Sequence, residues 1–264
     1  MITNLKLAKI FWSTTTLLTL LAALAGVLFK GIYVNLFQAD YLPGAFSQDV
    51  LTILICLFLF GLIAVTKQND IKKQVVIVGL LGAFFYLYGI FTIERVYTWF
   101  YLLYAAVFAS SFWTIAYSLS GFRSEAFSTL RLNKGMLRTT AITSILIAVL
   151  FNLLWISALI PLMREHNRIE FLYSIYILDL CFVMPAFVIT AVMSLRGNPF
   201  GILMAPAIMI LGFFVIFPLG LNELAKPSAG MAINYGSMAV SFIFAFLMLI
   251  LAVLQLKMIH FESK

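Results

Sequence analysis

Residues 200–221 read FGILMAPAIMILGFFVIFPLGL, a run without a single charged side chain. At 1.5 Å per residue, about 20 apolar residues in a helix cross the ~30 Å hydrocarbon core of a bilayer. The stretch is long enough and apolar enough to be read as a transmembrane helix. Seven further stretches read the same way, from about 10 to 30, 49 to 66, 74 to 93, 98 to 119, 138 to 160, 171 to 195 and 232 to 256. Alternating apolar and polar positions of the kind that mark barrel strands are missing. The expected fold class is an all-α polytopic membrane protein of eight transmembrane helices.

Composition agrees. Of 264 residues, 64% are hydrophobic and 10% charged. A soluble domain is nearer half apolar and a quarter charged, and one core cannot hide the excess. Membrane lipid is therefore the expected surrounding. The net charge of +7 sits in short segments between apolar runs. That pattern sets membrane orientation, and no nucleic-acid partner is expected. Cys56 and Cys181 both lie inside apolar runs, and His166 and His260 stand alone. No metal ligand set and no cofactor are expected from them. The N-terminal run has a basic start, as a signal peptide does, but its apolar part continues from Ile10 to Phe29. This is longer than a signal core and reads as the first span.

Basic residues orient the bundle. With the N-terminus inside, the inner segments hold Lys6, Lys9, Lys67, Lys72, Lys73, Arg123, Arg131, Lys134, Arg138, Arg196, Lys257 and Lys264. The outer segments hold Lys30, Arg95, Arg164, Arg168 and Lys226. The positive-inside rule then places both termini in the cytoplasm. The longest inner connection, residues 120–138, interleaves Phe122, Phe127, Leu130 and Leu132 with Arg123, Arg131 and Lys134. It reads either as a helix on the inner leaflet, a contact for a protein partner, or as a solvated loop.

Positions also recur between the two parts of the chain. Asp49 and Asp179 stand early in the second and sixth spans, and Glu94 and Glu223 close the third and seventh. The first and fifth spans open with STTTLLTLL and RTTAITSIL. These hints divide the chain into 1–119, a connecting segment 120–137 and 138–264. The two parts would be parallel four-helix halves about an axis normal to the membrane.

On this topology the acids and phenols gather on the outer side. Asp49, Glu94 and Glu223 fall at outer helix ends, and Asp179 falls about eight residues inside the sixth span. Tyr173, Tyr176 and Asp179 share one helix face, as do Tyr97, Tyr101, Tyr104 and Phe108. Gly79, Gly82, Tyr86 and Gly89 share a face suited to close helix contact, and Ser237, Ser241 and Ala245 another. Pro185, Pro206 and Pro218 each free a backbone carbonyl within a span. A carboxylate at that depth costs roughly 3 kcal/mol on insertion scales and normally faces a protein interior or a wet recess. Asp179 is therefore expected in an outward polar pocket with Tyr176, Asp49, Gln48, Tyr86, Glu94 and Arg95. The alternative is a buried Asp–Tyr hydrogen bond that only fixes packing. Tyr88, Tyr101 and Glu223 complete the candidate ligand-binding set.

The stretch YSIYILDLCFVMPAFVITAVMSLRGNPFG, with SQDVLTI and the YLYG of 86–89, resembles a group of bacterial multi-pass membrane proteins of uncharacterised function. The shared elements are a Tyr-x-x-Asp-Leu and Phe-Val-x-Pro helix and an Arg-x-Asn/Arg-Pro turn. Here they are Tyr176, Asp179, Leu180, Phe182, Val183, Pro185, Arg196 and Pro199. The resemblance implies the bacterial cytoplasmic membrane and brings no activity with it.

No Walker A loop, GxSxG or HExxH is present, so no familiar catalytic residue is assigned. The expected function is a small-molecule or ion transporter, or a substrate-binding membrane subunit. Its ligand would be cationic or amphipathic, because the outer acids Asp40, Asp49, Glu94, Glu165, Glu170, Asp179 and Glu223 outnumber the outer bases. Two alternatives stand beside it. One is a sensor or assembly partner without chemistry. The other is a membrane enzyme acting on lipid, with Asp49 and Asp179 as its acid and base.

Overall fold

The computed structural model describes residues 2–29, 31–122, 130–169 and 172–261. Among these, eight helices are long and apolar enough to cross a membrane. They are α1 (Leu5–Leu28), α2 (Leu42–Val65), α3 (Ile71–Ile93), α4 (Tyr101–Ser120), α5 (Lys134–Glu165), α6 (Tyr173–Leu195), α7 (Pro199–Ala225) and α8 (Tyr235–Met258). The protein is an all-α, multi-pass membrane protein. Residues 123–129, the middle of the expected interfacial segment, lie outside the described residues, as do Lys30, Glu170 and Lys264.

The largest departure from the expected spans is at α2, which begins at Leu42. The Pro43–Gly44 pair reads as a turn, yet Pro43 occupies the first helical turn, where its missing N–H would have had no partner anyway. Asp49 is thus two turns inside α2 rather than at its end, at a depth comparable to that of Asp179 in α6. α5 also runs five residues past its expected end, to Glu165.

α3 and α7 form the centre and are the most deeply buried of the spans. Around them α1 packs on α2 and α4, α5 packs on α6, and α7 packs on α8, α6 and α2. The central pair meets where α3 has no side chains. A Cβ on Gly79 would lie 2.9 Å from the Ala207 carbonyl oxygen, and one on Gly82 would touch Leu211. Gly89, expected on the same contact, instead faces Phe108 of α4 and Leu178 of α6. Ser241 and Ala245 of α8 face the bundle, whereas Ser237 is exposed. Lipid tails are as apolar as leucine, so such close backbone approach supplies much of the association between spans.

The end bearing the termini is tied together by polar contacts. The Ile2 amide donates to Gln74 Oε1 at 3.1 Å, and Gln68 Nε2 donates to the Ile2 carbonyl. The Thr3 amide donates to Gly121 O at 2.8 Å. Leu130–Arg131 pairs antiparallel with His260–Phe261. Asp70, just before α3, accepts from Lys73 Nζ at 2.8 Å and the Lys67 amide at 3.0 Å. The Lys73 hydrogen bond, with that from Lys67, holds its carboxyl below the ordinary carboxylate range. Any support this gives the fold is present above the ordinary pKa and fades as pH falls through the lowered one.

Burial registers recur along the chain. Buried Thr15, Thr16, Thr19, Ala22 and Ala23 of α1 have the spacing of buried Thr140, Ala141, Ser144, Ile147 and Ala148 of α5. Tyr104, Ser111, Thr114 and Ser118 of α4 have that of Ser241, Met248, Leu251 and Gln255 of α8. Gln48 and Asp49 of α2 match Leu178 and Asp179 of α6. Beyond them Thr52, Cys56, Leu59 and Ile63 match Val183, Phe187, Thr190 and Ser194, but only after one extra residue in α6. That residue is taken up by a π-helical turn over Asp179–Val183.

Replacing Gly79 by Val should drive a side chain into the Ala207 carbonyl and Ile210, costing about 1–3 kcal/mol of stability. Gly61→Ala, where nothing lies within 4 Å, should leave thermal unfolding in detergent unchanged, and the comparison of the two melting curves is the check.

Candidate functional site

The π turn has a local cause. Pro185 has no N–H to return to the carbonyl four residues back, and the helix opens just before it. The Met184 amide reaches the Asp179 carbonyl instead. π-bulges of this kind are frequent at functional sites. Here the wide turn begins at the acid.

Asp179 is 1% exposed. Its Oδ2 accepts a hydrogen bond from Trp155 Nε1 of α5 at 2.7 Å. The Tyr86 phenol of α3 faces the same carboxyl group. Its Oδ1 is buried and has no partner among the described residues. Beside it lies a cavity of about 140 Å³ toward the end of the bundle opposite the termini. Asp179, Trp155, Tyr86, Gln48 and Asn222 supply its polar edge, and Phe37, Phe91, Phe151 and Leu219 much of its apolar wall. Gln48 Nε2 and Asn222 Oδ1 are also buried without a partner. Three unsatisfied polar groups thus converge on one void. Buried polar atoms are seldom left unpaired, and a cavity near 150 Å³ accommodates a molecule of benzene size.

The cavity opens where α5, packed on α6, barely meets α7 and α8. Most of α5 is not buried. Phe151 and Trp155 close the gap as a wall rather than as packed core, with Trp155 edge-on to Tyr176 at 5.3 Å.

Of the sequence-predicted residues, Gln48, Tyr86 and Asp179 line this cavity, while the others lie elsewhere. Asp49 shows the largest difference. It turns to the opposite face of α2, where its Oδ2 accepts from the Tyr33 phenol at 2.7 Å. Gly26 of α1 leaves room for it there, because a Cβ on that residue would land on the carboxylate. Tyr88 points the same way and donates to the Thr19 carbonyl at 3.4 Å. Asp49 and Asp179 thus do not share a recess, and an acid–base pair working on one substrate is not formed. Glu94 Oε1 accepts from the Ser174 amide at 2.8 Å and anchors the start of α6. Arg95 lies over the Tyr173 ring at 5.6 Å, and the Tyr173 hydroxyl donates to the Ile93 carbonyl. Tyr101 donates to the Thr92 carbonyl at 3.1 Å. Tyr176 lies on a groove between α5 and α6 rather than in the cavity. Glu223 pairs with Lys226 at 2.7 Å and accepts from the Asn234 amide at 2.9 Å, closing the α7–α8 connection.

Trp155 and Asn222 escaped the sequence reading. Trp155 is remote from Asp179 in the chain, and Asn222 was masked by the more conspicuous Glu223 beside it. An indole N–H and an amide inside long apolar spans were the available signal, since both need partners when buried. Among the described residues no three His, Cys, Asp or Glu side chains come together to hold a metal ion. No protein-family model, curated protein or solved structure matches the chain.

The Tyr33 phenol lies outside the spans, and burial first, then the Asp49 carboxylate, pushes its pKa far above the ordinary tyrosine value. It remains a donor at every physiological pH. Tyr33→Phe should leave Asp49 buried without its donor and cost about 1–3 kcal/mol. Combined with Asp49→Asn, the loss should be smaller than the sum of the two single losses, as read from thermal unfolding of all four proteins.

Proposed function

We propose that this membrane protein binds a small organic cation in the cavity beside Asp179, as a transporter or as the substrate-binding subunit of one. The observation that carries the reading is the convergence of Asp179 Oδ1, Gln48 Nε2 and Asn222 Oδ1, all buried and unpartnered, on one void. Asp179 and the oxygen of Asn222 would accept from an ammonium group, and an amide can present either end as the ligand requires. Tyr86, Trp155 and Phe91 supply aromatic faces that attract a cation. Among the described residues no lysine or arginine lines the cavity to compete. Its volume suits a cation of a few heavy atoms rather than a lipid.

Other features support transport. A carboxylate at this depth is costly and typically marks a substrate or ion pathway. The recurring registers favour reading residues 1–119 and 138–264 as two copies of a four-helix unit, an organisation common in transporters. The distribution of basic residues favours both termini inside, so the cavity would face outward. The lightly packed outer part of α5 is the natural moving wall, and Trp155 is its latch on Asp179.

Ethylammonium and choline should raise the melting temperature of the purified protein, while their uncharged isosteres should not. Occupancy at 100 times Kd corresponds to about 2.7 kcal/mol of added stability. Asp179→Asn should remove the response, and Trp155→Phe should alter it. An equal shift in wild type and Asp179→Asn defeats the binding site. Uptake of the labelled cation into vesicles then separates transport from binding alone.

A further inference from the structure

A second void in the bundle is unlike the cavity beside Asp179 and lies nearer the end that carries the termini. It is an apolar groove of about 350 Å³ between α4 and α6. These two helices scarcely touch, because α4 packs on α3 and α6 packs on α7. The crossing of α3 and α7 forms the floor, through Gly79, Gly82, Ala207 and Leu211. Phe112, Phe182 and Ile189 stand at the mouth and are exposed. Thr190 is the single polar side chain among the described residues that line the groove. Water is poorly served there, since a buried water molecule normally makes about three hydrogen bonds.

The groove has two different ends. Toward the middle of the spans it is closed by rings. Phe85 lies 5.5 Å from Phe182 and 6.1 Å from Phe112, and it stacks on Phe108 at 4.8 Å. The other end lies at Leu119, Met193 and Phe200, where α4 and α6 finish and α7 starts. From Phe200 to Leu211, α7 lines the groove for about 16 Å at 1.5 Å per residue. One leaflet contributes the same depth, half of the ~30 Å hydrocarbon core. Spread over that length, the volume gives a cross-section of about 20 Å², whereas a helix 10–12 Å across with its side chains needs about 80 Å² or more. The space fits one extended hydrocarbon chain and not a helix of another protein.

A cation stands just beyond the open end. Phe182, Ala186, Ile189 and Met193 of α6 line the groove at steps of four and three. Arg196 is the next step on that face. It caps the helix and is exposed, and its guanidinium has no partner among the described residues. The planar arginine fork suits a phosphate group, which it can hold through two parallel hydrogen bonds.

We propose that the α4–α6 groove binds one acyl chain of an anionic phospholipid, with the lipid phosphate on Arg196. A groove open to the bilayer fills from it, because empty space forfeits the dispersion contacts of its walls. Basic side chains at headgroup level attract anionic lipid. The bound chain covers the α3–α7 crossing from the side and bridges α4 to α6, which the protein itself leaves unjoined. The proposal does not rest on the cation reading, since among the described residues the groove shares no lining side chain with the cavity beside Asp179.

The test mixes the whole purified protein in detergent with equal amounts of phosphatidylglycerol and phosphatidylcholine and reads bound lipid by native mass spectrometry. Wild type should retain one phosphatidylglycerol per chain, preferred about fivefold, the scale of one basic side chain near an anionic lipid. Arg196→Gln should abolish the preference, and Arg196→Lys should keep it. Lys257→Gln, an exposed cation on α8 at the same end of the bundle, should bind as wild type does. Ala186→Trp should fill the groove and remove retention of both lipids. If that variant fails to fold, Ile189→Trp at the mouth serves the same purpose. Inorganic phosphate should not displace the lipid. The proposal is overturned if wild type retains no lipid, if Arg196→Gln keeps the preference, or if the filled variants still retain lipid. Displacement by inorganic phosphate overturns it as well, as does a dimer mass appearing in place of the lipid adduct.

Discussion

The close crossing of α3 and α7 is the contact on which the rest of the architecture depends. Gly79 lets the two most buried helices meet backbone to side chain, with Ala207 and Ile210 filling the space a side chain would need. In lipid there is no hydrophobic gain from bringing two apolar helices together, so intimate van der Waals contact must hold them. The other helices then arrange around that pair. Farther along, Tyr86 and Phe91 of α3 and Leu219 and Asn222 of α7 line a common void instead of touching throughout. The same pair therefore provides both the tight joint and the cavity.

The two parts of the bundle use similar registers for different ends. In the second half α5 packs on α6 but barely meets α8, whereas α1 packs on both α2 and α4, and a tryptophan of α5 reaches the acid. In α1–α2 the helices pack closely enough that Gly26 abuts the acid and Tyr33 covers it. One carboxyl group consequently edges a void, and its counterpart is sealed among phenols. The single extra residue of α6, accommodated by the π turn, begins at Asp179. A small change in helix winding thus sits where the two acids part company in their surroundings.

Serine and threonine spend much of their hydrogen bonding within their own helices. Thr19, Thr52, Ser118, Ser144 and Ser194 each donate to the carbonyl one turn back. This hides a hydroxyl in an apolar setting without a partner from another helix. The informative residues are those that do more, such as Thr15 with Thr114, or that have nothing to bond, such as Ser111. Glu94 and Glu223 belong to a different class. They fasten connections through the Ser174 and Asn234 amides, which explains two acids at helix ends without invoking a ligand.

The eight spans were legible in the chain because apolar length is a local property, and bilayer thickness sets its scale. The depth of Asp179 was legible for the same reason, as was the placement of Tyr86 on a face away from lipid. The true start of α2 was obscured by Pro43–Gly44, whose turn-like look is compatible with a helix's first turn. Which way each polar side chain points was decided only by the tertiary structure. Asp49 and Asp179 look alike in sequence, and their difference follows from what surrounds each in the folded bundle, Tyr33 and Gly26 around the one, Trp155 and an adjoining void beside the other. The role of Trp155 likewise depends on α5 leaning across to α6. Helix formation in lipid is dictated residue by residue by the need to satisfy backbone groups. A cavity arises from how whole helices fail to fill the space between them, and no short stretch of sequence records that.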